Sequence, residues 1–296
     1  MRISDNIKKC AVFIGTKVSD PIERIKWRGT GFLVSFPSKV ADSRFPNRGF
    51  IYLVTAKHVT ARIAGNDFFI RANTKDGKSI IFRGAKDHKW WFHPNPSGQT
   101  DVAVFPMIQT DVIKNLDYES IPIANLVTDE TISNEGIGAG DDIFVVGLFS
   151  KHTGDEKNVP IIRMGNIALI SDEPVHHHLF GNIEAYLIEM HSIGGVSGSP
   201  VFVEKPVPIA LGNTLVPTTI WKWFLLGLVS GHSDVARGES IDIEDEETGA
   251  TSSINAGIAT IIPAKKILET LNCEELASYR AKAEAAFIAK NSPTLD

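Results

Sequence analysis

Short stretches of apolar and β-branched residues recur along most of the chain, and turn-forming residues separate them. Several of these stretches alternate between apolar and polar residues, as strands with one buried face do. They lie at 11–15, 30–36, 50–55, 67–72, 79–82, 101–107, 142–148, 161–170, 184–190, 200–203, 224–230 and 256–262. Six precede the segment 135–140 and six follow it. This spacing predicts an all-β fold made of two six-stranded antiparallel β-barrels.

The pattern changes near the C terminus, where helical spacing replaces strand alternation. Residues 264–271 follow a proline that suits the first position of a helix, and their apolar side chains recur at helical intervals. Residues 274–290 are rich in Ala, Glu, Lys and Arg, which favour helices. We therefore predict C-terminal α-helices, the second being either a packing element or a docking element for a partner.

The glycine-rich segment 135–140 interrupts any regular element and predicts a boundary close to the middle of the chain. On this basis we expect an N-terminal barrel at 1–130, a C-terminal barrel at 131–263 and a helical extension at 264–296.

Three separate segments carry residues suited to hydrolysis. His58 ends a β-rich run, Asp101 opens an apolar run, and Ser197 lies within the sequence GVSGSP at 195–200. Serine hydrolysis needs a hydroxyl, a base that takes its proton, and a carboxylate that holds the base in one tautomer. The order His, Asp, Ser differs from the order in α/β-hydrolases and subtilisins.

The blocks 29–34, 55–58, 100–104, 195–202, 226–231 and 257–263 together resemble the chymotrypsin/trypsin-like serine peptidases. The likeness is strongest to the disulfide-free bacterial type that includes the glutamyl endopeptidases. It implies a cleft between two barrels and a serine endopeptidase that works through an acyl-enzyme intermediate. In this resemblance Ser197 is the nucleophile, His58 the general base, and Asp101 the residue that orients His58. Competing assignments are Asp87, Asp111 and Asp117 for the carboxylate, and Ser199 for the nucleophile.

The resemblance also assigns the oxyanion hole to the backbone N–H groups of Gly195 and Ser197. The sequence departs from the family pattern at Val196. Trypsin-like digestive enzymes carry an acidic residue at this position, and that residue pairs with a newly cleaved N terminus. That activation switch is therefore not expected. Either the hole is preformed, or a partner, a ligand or an assembly orders it.

By the same resemblance, the base of the specificity pocket falls at His191. Its walls are formed by Val229, Ser230, Gly231, His232 and Gly257. Two histidines near the pocket favour an acidic or amide side chain in the substrate.

Charge and composition limit the classes of partner that the chain is expected to bind. The net charge of −5 argues against general binding to nucleic acid or anionic lipid, and no apolar run is long enough for a membrane helix. The charged start at 1–9 does not look like a secretory leader. The two cysteines, Cys10 and Cys273, are expected to be buried or inert thiols, so we predict a cytoplasmic protein.

The expected partner is a protein or peptide substrate, and no cofactor is required. The histidines at 176–178 are predicted to lie on a surface loop without a metal, because no further ligand spacing completes a site. Two alternatives to an active peptidase remain: a catalytically idle trypsin-like fold that binds or scaffolds, and a latent peptidase switched on by an activating protein partner.

Overall fold

The computed structural model describes residues 3–19, 23–40, 49–107, 114–149, 152–177, 179–190, 196–206, 209–211, 214–216, 221–235 and 254–291. It is mostly β, with a closed barrel in the second half and two helices at the C-terminal end. A strand lies at each of the stretches predicted from apolar alternation. The unpredicted strands are two or three residues long.

The first half forms one sheet of eight strands. They are β1 (Ala11–Ser19), β2 (Glu23–Pro37), β3 (Gly49–Thr55), β4 (Phe68–Asn73), β5 (Ser79–Gly84), β6 (Trp91–Phe92), β7 (Ala103–Met107) and β8 (Ile121–Pro122). The order is β5-β4-β1-β2-β3-β7-β6, with β8 pairing in parallel with β2. Among the described residues the end strands β5 and β6 do not pair. The predicted closed six-stranded barrel is therefore not what the backbone pairing shows in this half.

Aromatic packing takes the place of backbone closure there. Phe68 on β4 and Phe105 on β7 are four places apart in the strand order, yet their ring centroids are only 5.7 Å apart. The centroid of the Trp90 ring lies 5.4 Å from that of Phe68 and 5.2 Å from that of Phe105. The sheet must curve strongly for these rings to meet. Because β6 has only two residues before Pro94, it offers little backbone for a closing ladder.

The second half contains β9 (Asp142–Gly147), β10 (Ile161–Leu169), β11 (Val175–His177), β12 (Gly181–Ile183), β13 (Tyr186–Glu189), β14 (Pro200–Pro206), β15 (Ile209–Leu211), β16 (Thr214–Val216), β17 (Trp221–Val235) and β18 (Ile254–Pro263). Six of them close a barrel in the order β10-β13-β18-β17-β14-β9, as predicted for this half. Two small hairpins, β11-β12 and β15-β16, are attached to it. Buried aliphatic side chains such as Val145, Ile188 and Leu226 fill the barrel.

The sheet and the barrel share a second core. Phe32 and Val54 of the sheet belong to the same buried cluster as Phe144 and Phe202 of the barrel. The Leu148 N–H also donates to Thr30 Oγ1 at 2.8 Å across the boundary. The two halves therefore meet along a packed, hydrogen-bonded interface.

Four α-helices are described: α1 (Lys57–Ala61), α2 (Asp129–Glu135), α3 (Ala264–Leu271) and α4 (Glu274–Asn291). Short 3₁₀ helices span Asp5–Cys10 and Ile123–Asn125. None of the described helices has the length and apolar character to cross a bilayer.

Helix α4 is held against the first sheet by Arg280. The guanidinium donates to Leu271 O at 2.7 Å and Tyr52 Oη at 3.2 Å, and it lies 3.8 Å from the centre of the Phe36 ring. Arg280 is only 6% exposed, so its aliphatic part is also buried. This packing favours the structural role over the docking role for α4.

We expect Arg280→Ala to lower the free energy of unfolding by about 2–3 kcal/mol, because it removes packing and leaves buried acceptors unpaired. Lys282→Ala, on the exposed side of the same helix, is the matched control and should change it by about 0.5 kcal/mol at most. Urea denaturation of the two variants makes the comparison. Equal stability of both variants would mean that α4 does not stabilise the sheet.

Candidate active site

His58 and Asp101 are brought together by the pairing of two strands. β3 runs antiparallel to β7 with Thr55 opposite Ala103. His58 follows the end of β3, in the first turn of α1, and Asp101 precedes the start of β7. The strand register therefore places the two residues side by side at the same edge of the sheet.

The contact between them is direct and buried. Asp101 Oδ1 accepts from the His58 backbone N–H at 2.8 Å, and Asp101 Oδ2 lies 2.7 Å from His58 Nδ1. Asp101 is fully buried and His58 is 8% exposed. When Nδ1 carries the proton donated to the carboxylate, Nε2 of a neutral ring is the atom that can accept another.

The pKa of Asp101 reflects two opposing effects. Burial alone would raise it, because a carboxylate loses hydration inside the protein. The hydrogen bond from the His58 ring, the charge of His58, the Ser230 hydroxyl and the His58 backbone N–H outweigh burial and hold the pKa below its usual value. Asp101 is therefore a carboxylate at neutral pH.

Ser230 is the third donor to this carboxylate, and it was predicted instead as part of a pocket wall. Its Oγ donates to Asp101 Oδ2 at 2.5 Å, and its side chain is buried. The pairing of β17 with β18 shifts register between Val229 and Gly231, so Ser230 lies at a bulge. A bulge re-aims a side chain relative to strict alternation, which explains why strand periodicity did not reveal this contact.

Ser197 lies in a tight turn just before β14, at the boundary between barrel and sheet. The turn is tied to β17 through Gly198 N to Val229 O at 2.8 Å, and to β2 through Thr30 N to Ser197 O at 3.0 Å. Gly198 adopts a φ of 79°, which favours glycine. The described part of the turn therefore depends on Gly198, which the sequence analysis did not single out.

Ser197 is a close neighbour of the His58 helix. A Cβ placed on Gly29 would lie 2.8 Å from a side-chain carbon of Val59 and 3.0 Å from Ser197 O. The backbone at Gly29 therefore lies between α1 and the Ser197 turn. Within the described part of the chain, no hydrogen bond joins His58 Nε2 to Ser197 Oγ. Catalytic hydrogen bonds are often long in the absence of substrate.

The backbone at Ser197 has an unused donor. In the residues that the structure describes, the N–H groups of Gly198 and Ser199 are paired, whereas the N–H of Ser197 has no acceptor. Val196, directly before it, is buried in the barrel core, which anchors the turn through apolar packing. Gly195, the other predicted donor of the oxyanion hole, lies outside the described residues.

The competing residues have different surroundings. Asp117 pairs with Lys9 at 2.8 Å, far along the chain from His58, and Asp111 lies outside the described residues. Asp87 makes no hydrogen bond or ion pair with His58 among the described residues. Ser199 is fully buried against Gly147, and its Oγ has no hydrogen-bond partner in the described part of the chain. A buried hydroxyl without a path to substrate is a poor nucleophile.

If Ser197 is the nucleophile, Ser199→Ala should keep hydrolytic activity within about threefold of the wild-type value, because the turn around Ser197 is untouched. Removing a buried, unpaired hydroxyl should also leave stability unchanged or raise it by about 1 kcal/mol. Kinetics and urea denaturation of this variant measure both effects. Loss of activity with an intact fold would contradict the assignment of Ser199 as a packing residue.

The predicted specificity pocket is described only in part. His191 and the side chain of His232 lie outside the described residues. The remaining segments are neighbours, because His232 pairs with Ala259 and Met190 N donates to Gly257 O at 2.6 Å. A Cβ on Gly257 would meet nothing within 4 Å.

Val229 and Ser230 on β17 were predicted as pocket walls, but their side chains point away from the predicted pocket. Val229 points into the barrel core and Ser230 toward Asp101, so neither side chain lines open space. Ser230 would therefore contact substrate only through its backbone, whereas the Val229 N–H and C=O are already paired with Ser199 O and Gly198 N.

The histidine run also differs from its prediction. His177 lies on β11, not on a surface loop, and is 2% exposed. Its Nε2 lies 3.1 Å from Ser230 Oγ. His176, the preceding residue, is exposed, and His178 lies outside the described residues. No cluster of three metal-ligating side chains is found in the ranges that the structure describes.

No protein-family model matches the sequence, and no curated protein matches it. Several solved structures are similar to the fold. One is the MamO protease domain from Magnetospirillum magneticum, with a TM-score of 0.47 and 14% identity, covering 90% of this chain and 97% of that one. Another is Deg5, with a TM-score of 0.46 and 12% identity, covering 89% and 87%. A third is the active form of the Rv3671c protease from M. tuberculosis, with a TM-score of 0.43 and 14% identity, covering 89% and 80%.

Proposed function

We propose that this chain is a chymotrypsin-like serine endopeptidase that cleaves peptide bonds through Ser197, His58 and Asp101. The observation that carries the proposal is the fully buried Asp101 carboxylate, which binds both the ring and the backbone of His58 beside the Ser197 turn. A buried carboxylate that fixes the tautomer of a histidine is what a general base in serine hydrolysis requires.

The reaction follows from the orientation of His58. Ser197 Oγ attacks the carbonyl carbon while its proton moves to His58 Nε2, and Asp101 stabilises the imidazolium through Nδ1. The carbonyl oxygen becomes negatively charged and accepts hydrogen bonds from the N–H of Ser197 and, by resemblance, of Gly195. His58 then returns the proton to the leaving amine, which leaves an acyl-enzyme. A water molecule, activated by the same histidine, releases the second product.

The test is cleavage of a peptide library with mass-spectrometric detection of products. Wild-type protein and the Ser199→Ala control should give the same fragments, and Ser197→Ala and His58→Ala should give none. Fragments of unchanged yield from Ser197→Ala would overturn the proposal.

For the substrate, we propose a side chain bearing a carboxylate or an amide before the cleaved bond, as in the glutamyl endopeptidases. The support is the sequence placement of His191 and His232 around Gly257. Cleavage dominated by Arg and Lys, or by large aromatic residues, at that position of the library would contradict this preference.

The second candidate is a trypsin-like fold that binds without cleaving, or that stays latent until a protein partner orders the site. It is favoured by the lack of a hydrogen bond between His58 Nε2 and Ser197 Oγ among the described residues. Activity that appears only after addition of a cell lysate would identify the latent form. The cytoplasmic location, predicted from the cysteines and the charged start, stays a prediction.

A further inference from the structure

A second histidine lies behind the proposed catalytic carboxylate. His177 is buried on β11, and its Nε2 is 3.1 Å from Ser230 Oγ, which in turn is 2.5 Å from Asp101 Oδ2. Asp101 Oδ2 also accepts from His58 Nδ1 at 2.7 Å. The four side chains therefore form one continuous hydrogen-bonded row, His58, Asp101, Ser230 and His177, in the buried region between the sheet and the barrel.

The direction of each hydrogen bond follows from the contacts of the His177 ring. The Leu179 N–H donates to His177 Nδ1 at 3.2 Å, so Nδ1 presents a lone pair. In a neutral imidazole the other nitrogen then carries the proton. His177 Nε2–H therefore donates to Ser230 Oγ, and the single hydroxyl proton of Ser230 is left for Asp101. Every donor in the row points toward the carboxylate.

The ring of His177 is also held in orientation by its neighbours. It stacks on Phe180 with centroids 5.2 Å apart and planes 29° apart, and the β11-β12 pairing sets His177 opposite Gly181. A ring fixed in this way offers a donor at a constant position. A hydroxyl that accepts one hydrogen bond also donates a stronger one, because linked hydrogen bonds polarise each other.

We propose that His177 is a positioning residue for the proposed hydrolysis: it directs the Ser230 hydroxyl at Asp101 and thereby fixes the carboxylate that orients His58. The inference rests on the proposed function. His177 itself contacts neither substrate nor the reacting atoms in this scheme. Its influence passes through Ser230, which distinguishes it from a histidine that merely fills space.

The first test compares His177→Leu with His177→Gln, with His176→Leu as a control on the exposed neighbour. The Gln amide can donate from about the place of Nε2, whereas Leu cannot donate. We expect His177→Leu to lower kcat per titrated active site about tenfold, with KM unchanged. The Gln variant should stay within about threefold of the wild-type kcat, and His176→Leu should match wild type. Unchanged kcat per active site in His177→Leu would overturn the proposal, even if less folded protein is recovered.

A second test asks whether the effect passes through Ser230. The substitution His177→Leu is made in a Ser230→Ala background, in which the hydroxyl is gone. If His177 acts through that hydroxyl, the second substitution should change kcat by no more than about twofold. A further tenfold loss would mean that His177 affects the site by another route, and would contradict the proposal.

The third measurement does not need turnover and separates this inference from the proposed function. Proton NMR of the full chain reports the His58 Nδ1 proton that is shared with Asp101. We expect this resonance to shift or broaden in His177→Leu and to be retained in His177→Gln. Inactive wild-type protein with this response would refute the peptidase assignment but leave the coupling intact. An identical resonance in wild type and His177→Leu would refute the coupling.

Discussion

Asp101→Asn is expected to lower kcat by roughly 10⁴-fold while the protein still folds. The reason lies in the donors that surround the carboxylate. Oδ1 accepts from the His58 backbone N–H, and Oδ2 accepts from His58 Nδ1 and from the Ser230 hydroxyl. Asparagine has one oxygen and one NH₂ group in place of the two carboxylate oxygens. Either the His58 backbone N–H, or Nδ1 together with the Ser230 hydroxyl, must therefore face the NH₂ group, which is a donor and not an acceptor.

If the amide nitrogen faces Nδ1, His58 turns to the tautomer with its proton on Nε2, which cannot take the proton of Ser197. If it faces the backbone N–H instead, a buried donor is left unpaired, at a cost of about 1–3 kcal/mol. Steady-state kinetics with circular dichroism measure activity and folding together. Asp117→Asn is the matched control, because Asp117 pairs with Lys9 away from the site, and it should keep wild-type kcat. Similar kcat values for the two variants would remove Asp101 from the proposed triad.

Gly198→Ala is expected to destabilise the protein strongly. A Cβ there would lie 2.3 Å from Thr30 O and 2.3 Å from Thr55 Oγ1, and its φ of 79° already disfavours alanine. We expect a loss of about 3–5 kcal/mol in the free energy of unfolding. Displacing the turn by about 1 Å should also lower activity by about 10²-fold in the protein that remains folded.

Gly77→Ala isolates the backbone part of this effect. Gly77 has nearly the same φ, 81°, but a Cβ there would meet nothing within 4 Å. It should cost only about 1–2 kcal/mol and leave activity unchanged. Urea denaturation of both variants gives the comparison. Equal destabilisation by the two substitutions would contradict the close approach of the Ser197 turn to β2 and β3.

The fold was predictable from the sequence where strands are long enough to show a period. Strands such as β3 and β17 carry runs of Val, Ile, Leu and Thr, and these runs lie where strands were predicted. The missed strands β6, β8, β11, β12, β15 and β16 have two or three residues, too few for alternation to be visible. The open pairing of the first sheet could not be predicted either, because it depends on contacts between rings distant in sequence, such as Phe68 and Phe105.

Only the site residues that have a recognisable local sequence pattern were predictable. His58 and Asp101 each stand at a strand end in a recognisable context, and the structure brings them into contact. The roles of Ser230 and His177 were not predicted, because they depend on tertiary contacts. A bulge redirects Ser230, and a three-residue strand buries His177, whereas its sequence of consecutive histidines resembles a polar loop.

Labelling with a fluorophosphonate probe, read by intact mass, tests most directly whether Ser197 is an activated nucleophile. Wild-type protein, Ser197→Ala and Ser199→Ala are treated under identical conditions after circular dichroism has confirmed folding. We expect one adduct on wild type and on Ser199→Ala, and none on Ser197→Ala, because Ser197 is the serine that lies beside the His58–Asp101 pair and has an N–H without an acceptor among the described residues. An adduct on Ser197→Ala, or no adduct on folded wild-type protein, would contradict the claim that this chain assembles an activated serine at residue 197.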